Sequence, residues 1–366
     1  MITVTKPFLP PLDEFTPFLE KIWDSRVLTN GGPFHEQLEL ELCKYLGVQH
    51  ISLCSNGTLG LMIALQALEI KGEVITTPYS FVATSHALLW NEIKPVFVDI
   101  NPNSLNIDSK KIEAAITSET KAILGMHCYG NPCEVDTIKK IADKYKLKVV
   151  YDACHAFGVQ DKEGSILRHG DLSVLSFHAT KVFNTFEGGA IISPDYKTKK
   201  LIDQLKNFGF ENELSVVLPG INAKMSEVNA AFGLLQLKYI DTALQARKNL
   251  YEIYKELLNG INGIDCIFQT NSFQHNYSYF PILVTPAYSL TRDELFEKFK
   301  KNDIFTRRYF YPLISNFATY KNFKSSNKKN LYVANQISEQ ILCLPLYPNL
   351  DVRTINYICR LIKEDN

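Results

Sequence analysis

The sequence predicts an α/β protein, with a mostly parallel sheet in a large domain over residues 1–245 and a smaller α+β C-terminal domain over 246–366. Three observations predict this. Short β-type runs alternate with helix-type segments between residues 50 and 195, several of those runs are continuously apolar, and the pattern changes past Gly260. Strands alternating with helices make βαβ units and hence parallel pairing. A chain of 366 residues also exceeds what one small core organises.

The expected strands are Ile51–Cys54, Glu73–Thr77, Pro95–Asp99, Ala122–His127, Lys148–Asp152, Ser173–Phe177 and Ala190–Ser193. Runs such as VITT, AILGMH and KVVYD suit strands covered on both faces. Helices are expected over Leu59–Leu68, Phe81–Trp90, Ser109–Ile116 and Glu134–Tyr145, and over Ser226–Leu258 as one long helix or two abutting ones. Past Gly260 come strands Cys266–Phe268, Tyr277–Val284 and Ile341–Leu344 with helices Arg292–Lys301 and Val352–Lys363. The N-terminal segment is expected to join this smaller domain, and the polar stretch Lys321–Asn330 to be a mobile surface loop.

Composition narrows the function classes. Lys plus Arg (39) equals Asp plus Glu (39), so no net charge draws the chain to nucleic acid or anionic lipid. The N-terminus lacks a basic start followed by an apolar run, and no apolar stretch of about 18 residues is present to span a bilayer. Eight cysteines without a CxxC pair suit free thiols in a reducing cytoplasm. His127, Cys128 and Cys133 lie close together but fit no common zinc spacing, so no metal is expected.

Ligands of parallel sheets collect at the carboxyl ends of the strands, and four stretches there carry chemistry. In Ser176-Phe-His-Ala-Thr-Lys181 through Glu187-Gly-Gly-Ala190, a lysine just past a buried strand is partly stripped of water, which favours imine formation. A solvated surface lysine is the alternative, and Ser176 and the glycine pair equally suit turn chemistry. In Tyr151-Asp152-Ala-Cys-His155, an aspartate ending an apolar strand can keep a pyridine nitrogen protonated. A helix N-cap aspartate and a structural histidine are the alternatives there. In Ser55-Asn-Gly57-Thr58, free N–H groups at a helix start suit a phosphate, although neither GxGxxG nor a Walker loop is present. Phe81 follows a strand where an aromatic face can stack on a planar heterocycle, or fill a core.

Taken in order, these stretches resemble the DegT/DnrJ/EryC1/StrS sugar aminotransferase family. The resemblance also covers Leu28-Thr-Asn-Gly-Gly-Pro33 and Gly220-Ile-Asn222-Ala-Lys-Met-Ser-Glu227. It implies the aspartate-aminotransferase-like fold, type I, and pyridoxal 5′-phosphate (PLP) as cofactor. Lys181 matches the Schiff-base lysine, Asp152 the partner of the pyridine nitrogen, and Phe81 the stacking aromatic; beside Asp152, His155 is placed to hydrogen-bond the cofactor's ring oxygen. Gly57, Thr58 and Ser176 match the phosphate cradle. Asn222 matches a residue that reaches the phosphate from a neighbouring subunit, which implies a homodimer with shared sites. Cys154 departs from the alanine more usual in the family.

The form Ser-Phe-His-Ala-x-Lys is similar to members that aminate C4 of nucleotide-linked 4-keto-6-deoxy sugars. With the opening Val-Thr-Lys-Pro-Phe-Leu-Pro-Pro it looks closest to those forming dTDP-4-amino-4,6-dideoxyglucose from dTDP-4-keto-6-deoxyglucose for O-antigen-type polysaccharides, with glutamate as donor and 2-oxoglutarate released. His178, Glu187, Tyr309 and Tyr311 are the candidates for the sugar side. Two other readings stay open, a 3-keto-sugar aminotransferase of the same family and a non-catalytic sensor that keeps the fold; related dehydratases carry histidine at this position, and Lys181 speaks against them.

Overall fold

The apolar runs between residues 50 and 195 become strands: β1 (His50–Cys54), β2 (Glu73–Thr76), β3 (Lys94–Phe97), β4 (Thr120–Met126), β5 (Lys148–Asp152), β6 (Leu172–Ser176) and β7 (Gly189–Ser193). They form one seven-stranded sheet in the order β1-β7-β6-β5-β4-β2-β3. The computed structural model describes residues 1–267 and 274–364. Alternate side chains go to opposite faces and both faces are covered, which is why the runs are apolar without interruption. Ile123, Val149 and Tyr151 pack with Ile138 of the helix Val135–Tyr145, whereas Leu124 and Val150 pack with Leu61 and Leu65 of the helix Gly57–Ala67.

Pairing is parallel from β3 through β6, and β7 runs antiparallel to both β1 and β6. The reversal follows from the connection. The 177–188 loop has no helix to carry the chain back across the sheet, so β7 returns beside β6 in the opposite sense. The helix Gly57–Ala67 lies close on this sheet because Gly60 lacks a side chain: a Cβ there would stand 2.9 Å from Val174 Cγ1.

The smaller α+β unit has a three-stranded antiparallel sheet of Ile264–Cys266, Phe280–Val284 and Ile341–Leu344, with Phe280–Val284 in the middle. The strand expected at Cys266–Phe268 lies earlier, and Phe268 is outside the described residues. The helices Arg292–Lys301 and Val352–Lys363 stand where the periodicity puts them, opened by a Thr291/Glu294 capping box and by the Asp351 side chain respectively. Ile2–Thr3 pairs in parallel with Ile304–Phe305, which ties the N-terminus to this unit. The stretch 321–330, expected as a mobile loop, instead forms the short 3-10 turns Lys324–Ser326 and Lys328–Asn330. Phe323 and the flanking Tyr320 and Leu331 pack against Phe97, and Ser326 donates to the Tyr320 carbonyl at 2.7 Å.

One 32-residue helix, Glu227–Leu258, crosses between the two units, so position 245 lies inside it. Its Ala230, Leu234 and Ile240 belong to the core of the large unit, and its Leu250, Tyr254 and Leu258 to that of the small one. Its first residue brings two separate sequence motifs together. The Glu227 N–H donates to the Leu28 carbonyl at 2.9 Å, and its buried carboxylate accepts from the N–H groups of Phe34 and His35 at 2.9 Å each. Those are orphan donors in the first turn of the helix Pro33–Leu46, whose own N-cap, Gly32, offers no side chain. Glu227→Ala leaves them buried and unpaired and is expected to cost about 2–3 kcal/mol. Urea denaturation checks this, and a midpoint unchanged from wild type contradicts it.

Candidate active site

Five pieces of sheet edge meet in one cleft of about 680 Å³, lined among others by Gly57, Thr58, Phe81, Asp152, His155, Ser176, His178, Lys181, Glu187 and Tyr309. The sheet order explains the meeting: β1, β5 and β6 point their carboxyl ends the same way, so residues following each strand converge.

Asn56 closes β1 and caps the helix Gly57–Ala67, its Oδ1 accepting from the Leu59 N–H at 2.9 Å. The N–H groups of Gly57 and Thr58 begin that helix and have no intrahelical acceptor. Gly57 cannot carry a side chain, because a Cβ would stand 2.9 Å from Ser176 Cβ and 3.2 Å from Cys154 Sγ. Together the turn, the Thr58 hydroxyl and the Ser176 hydroxyl form a small concave cradle suited to an anion.

Asp152 ends β5 and is buried. Thr84 Oγ1 donates to its Oδ2 at 2.6 Å and the Cys154 N–H to its Oδ1 at 3.2 Å. No helix follows it, so the N-cap alternative does not hold. No ion pair reaches this carboxylate among the described residues. A buried carboxylate without a cation, facing a cleft, suits a cationic ligand.

His155 is also buried, and its Nδ1 accepts from the Tyr129 N–H at 3.2 Å. Burial, and then the Lys181 ammonium, push its pKa well below the usual histidine value. The neutral ring therefore carries its hydrogen on Nε2. Burial and then Asp152 raise the Cys154 thiol well above its ordinary value, so it stays protonated beside the cleft.

Lys181 follows β6 in the 177–188 loop. Its N–H donates to the His178 carbonyl at 2.9 Å, and the side chain lines the cleft, half-buried. Phe81 is 59% exposed, which rejects the core-phenylalanine alternative and leaves its ring free at the cleft wall. His178 and Glu187 stand at the rim, Nε2 to Oε1 3.7 Å, with the histidine Nδ1 2.8 Å from the Thr180 hydroxyl.

Two of the expected residues are not in this chain's cleft. Tyr311 turns away from it, with Arg292 Cζ 4.4 Å and Arg308 Cζ 5.4 Å from its ring centre; a cation–π stack holds it there. Asn222 is exposed, in a segment whose Ala223 carbonyl accepts from the Ser55 N–H at 2.8 Å. The His127 and Cys133 pair is structural: His127 Nδ1 accepts from the Cys133 N–H at 3.0 Å, and burial lowers the histidine to about 3.

Tyr279 and Phe310 also line the cleft and carried no signal of their own, since both stand far along the chain in the smaller unit. Their placement depends on contacts between the units. Asn276 Nδ2 donates to the His155 carbonyl at 2.8 Å and to the Phe157 carbonyl at 2.9 Å. The buried Tyr79 hydroxyl donates to the Tyr309 carbonyl at 2.9 Å, and Tyr129 does the same.

Known proteins resemble this chain in sequence and in fold. The model of the DegT/DnrJ/EryC1/StrS aminotransferase family matches residues 12–363. The chain is 55% identical over 364 residues to a dTDP-4-amino-4,6-dideoxy-D-glucose transaminase of Shigella dysenteriae, covering 99% of this chain and 98% of that one. It is 54% identical over 362 residues to the Escherichia coli protein of the same name, with the same coverage. Among solved structures, that of DesI in the presence of its TDP-sugar product superimposes with a TM-score of 0.95 at 32% identity, over 99% of this chain and 92% of that one. A match that runs from the first helix through the last, over a cleft in which a lysine and an uncompensated buried carboxylate meet, leaves one assignment: the chain belongs to the DegT/DnrJ/EryC1/StrS aminotransferase family.

Proposed function

We propose that this chain is a PLP-dependent aminotransferase that moves an amino group from L-glutamate to C4 of dTDP-4-keto-6-deoxyglucose, giving dTDP-4-amino-4,6-dideoxyglucose and 2-oxoglutarate. The observation that carries the chemistry is the buried, cation-free Asp152 in the same cleft as Lys181. The near full-length identity to the two transaminases supports the substrate.

The residues fit PLP. The Gly57–Thr58 turn with Ser176 offers the phosphate cradle, and only a residue without a Cβ lets the turn come this close to Ser176. Phe81 offers a free aromatic face, Asp152 an anion for the pyridine nitrogen, and His155 Nε2–H a donor for the ring oxygen. Lys181 supplies the amine for covalent attachment. Bound PLP supplies an electron-withdrawing heterocycle that lets a C–H bond beside the substrate nitrogen ionise.

The chain's own groups do the rest. Asp152 holds the proton on the ring nitrogen, which keeps the heterocycle electron-poor. Lys181 Nζ removes the proton from Cα of glutamate in the first half-reaction and delivers one to C4 of the sugar in the second. His178, Glu187 and Tyr309 offer polar groups to the sugar at the rim and wall of the cleft.

The protein is proposed to work as a homodimer in the cytoplasm, the latter in keeping with its free cysteines. No helix among the described residues is long and apolar enough to cross a membrane. Two features support the dimer. Asn222 lies outside its own cleft, and the nearby hairpin of Phe210–Asn212 and Ser215–Val216 exposes Leu214 at 96% and Val216 at 59%. Apolar groups this bare call for cover, and a second copy supplies it while bringing its Asn222 to the neighbouring cradle. The double substitution Leu214→Asp with Val216→Asp is expected to shift sedimentation from dimer to monomer and to lower kcat by about tenfold or more. A stable, fully active dimer of that variant contradicts the arrangement.

The reaction is tested by supplying dTDP-4-keto-6-deoxyglucose and glutamate and locating the new amine by NMR. Nitrogen at C4 supports the proposal, nitrogen at C3 points to the 3-keto reading, and binding without turnover points to a sensor.

A further inference from the structure

Asp152 sits at the head of a short chain of buried hydroxyls. Thr84 Oγ1 donates to Asp152 Oδ2 at 2.6 Å, and Ser80 Oγ lies 2.5 Å from Thr84 Oγ1. Thr84 is fully buried and Ser80 nearly so. The Thr84 hydrogen is committed to the carboxylate, so the Ser80 hydroxyl must donate to Thr84. The hydrogen bonds therefore all run one way, Ser80 to Thr84 to Asp152, and each strengthens the next. The placement is set by the segment after β2: Ser80 precedes the helix Ala83–Trp90 and Thr84 stands in its first turn, one helical repeat apart.

We propose that Thr84, backed by Ser80, is a positioning residue for the reaction, which fixes the Asp152 carboxylate toward the cleft so that it can hold the proton on the cofactor's ring nitrogen. This rests on the reading of the cleft as a PLP site. The other groups around Asp152 cannot take this part. Burial keeps the thiols of Cys128, Cys133 and Cys154 protonated and keeps His155 neutral, and the second donor to the carboxylate is a backbone N–H, from Cys154. Lys181 lines the cleft from another loop, its charge felt at Cys154 and His155. A carboxylate held by one backbone bond alone would swing, and a swinging carboxylate pairs less well with the ring proton. A less cationic ring draws fewer electrons, so the visible band of the bound cofactor titrates at higher pH.

The test compares Thr84→Val, Thr84→Ser and Ser80→Ala with wild type in two readouts besides turnover: PLP affinity by fluorescence, and the pH at which the bound cofactor's visible band interconverts. Thr84→Val is expected to weaken PLP binding about tenfold and to move the band's midpoint upward by about half a pH unit or more. Thr84→Ser restores both, and Ser80→Ala gives a smaller shift in the same direction. If Thr84 only satisfies a buried oxygen, Thr84→Val loses thermal stability in the cofactor-free protein while affinity and midpoint stay at wild-type values, and the proposal is overturned. Should Thr84→Val fail to fold, Ser80→Ala decides: an upward shift supports the relay and none overturns it. If wild type itself binds no PLP, it is the PLP reading of the cleft that fails, a result distinct from either.

Discussion

Lys181→Ala is expected to lower kcat by about 10⁴-fold or more, with the cofactor's covalent attachment lost at the same time. Two functions leave with one nitrogen. On the proposed function, the amine that would anchor PLP is gone, and so is the base that would take the Cα proton of glutamate and return one to C4 of the sugar; general base catalysis alone is worth about 10²–10⁴-fold. The fold should survive. The Lys181 side chain is half-buried and makes no ion pair among the described residues, and its loop is held by backbone bonds, from the Lys181 N–H to the His178 carbonyl and from the Thr185 N–H to the Phe177 carbonyl. Stability should therefore stay within about 0.5 kcal/mol of wild type. Stopped-flow and steady-state assays with a thermal melt separate the two effects. Turnover within tenfold of wild type in this variant removes Lys181 from the mechanism.

Asp152→Asn is expected to lower kcat by about 10²–10³-fold, the scale of removing a preorganised electrostatic partner. The substitution is nearly isosteric. With the amide oxygen in the Oδ1 place the Cys154 N–H keeps its acceptor, and the amide nitrogen in the Oδ2 place donates to Thr84 Oγ1, whose hydroxyl turns to donate to Ser80 instead. What disappears is the negative charge proposed to keep the ring nitrogen protonated. Both half-reactions need the electron-poor ring, so glutamate-dependent single turnover and sugar amination should slow together, while the KM for the sugar changes little. A variant that slows only one half-reaction would falsify this role for Asp152.

How much of this was legible in the sequence depends on how local the cause was. The strands from His50 to Ser193 showed themselves because burial on both faces leaves apolar runs with no polar interruption, as in Val149, Val150 and Tyr151. Gly57, Thr58, Phe81, Asp152, His155, Ser176, His178 and Lys181 reach the cleft because the parallel strands bring their ends to one edge; Glu187 reaches it from the far end of the 177–188 loop, and Tyr309 from the smaller unit. The misses share a physical origin. Tyr311 differs from Tyr309 only by which side of the segment it takes, and that is decided by Arg292 and Arg308, which sequence spacing does not pair with it. The helices Leu12–Ser25 and Pro33–Leu46 went unread. The second starts at Pro33 after Gly32, which has no side chain, and the carboxylate that caps it comes from Glu227, nearly two hundred residues away in the chain. The stretch 321–330 is polar in sequence, yet Phe323, between Tyr320 and Leu331, pins it to the sheet. Tyr279 and Phe310 enter the cleft through contacts between the two units, which no local pattern encodes.

Sodium borohydride treatment of the PLP-loaded protein, followed by peptide mapping, asks the deciding question directly. The account predicts a stable pyridoxyl label on the peptide carrying Lys181, and none on that position after glutamate has been added first. A label on a different lysine, or protein that takes up no label at all, contradicts it.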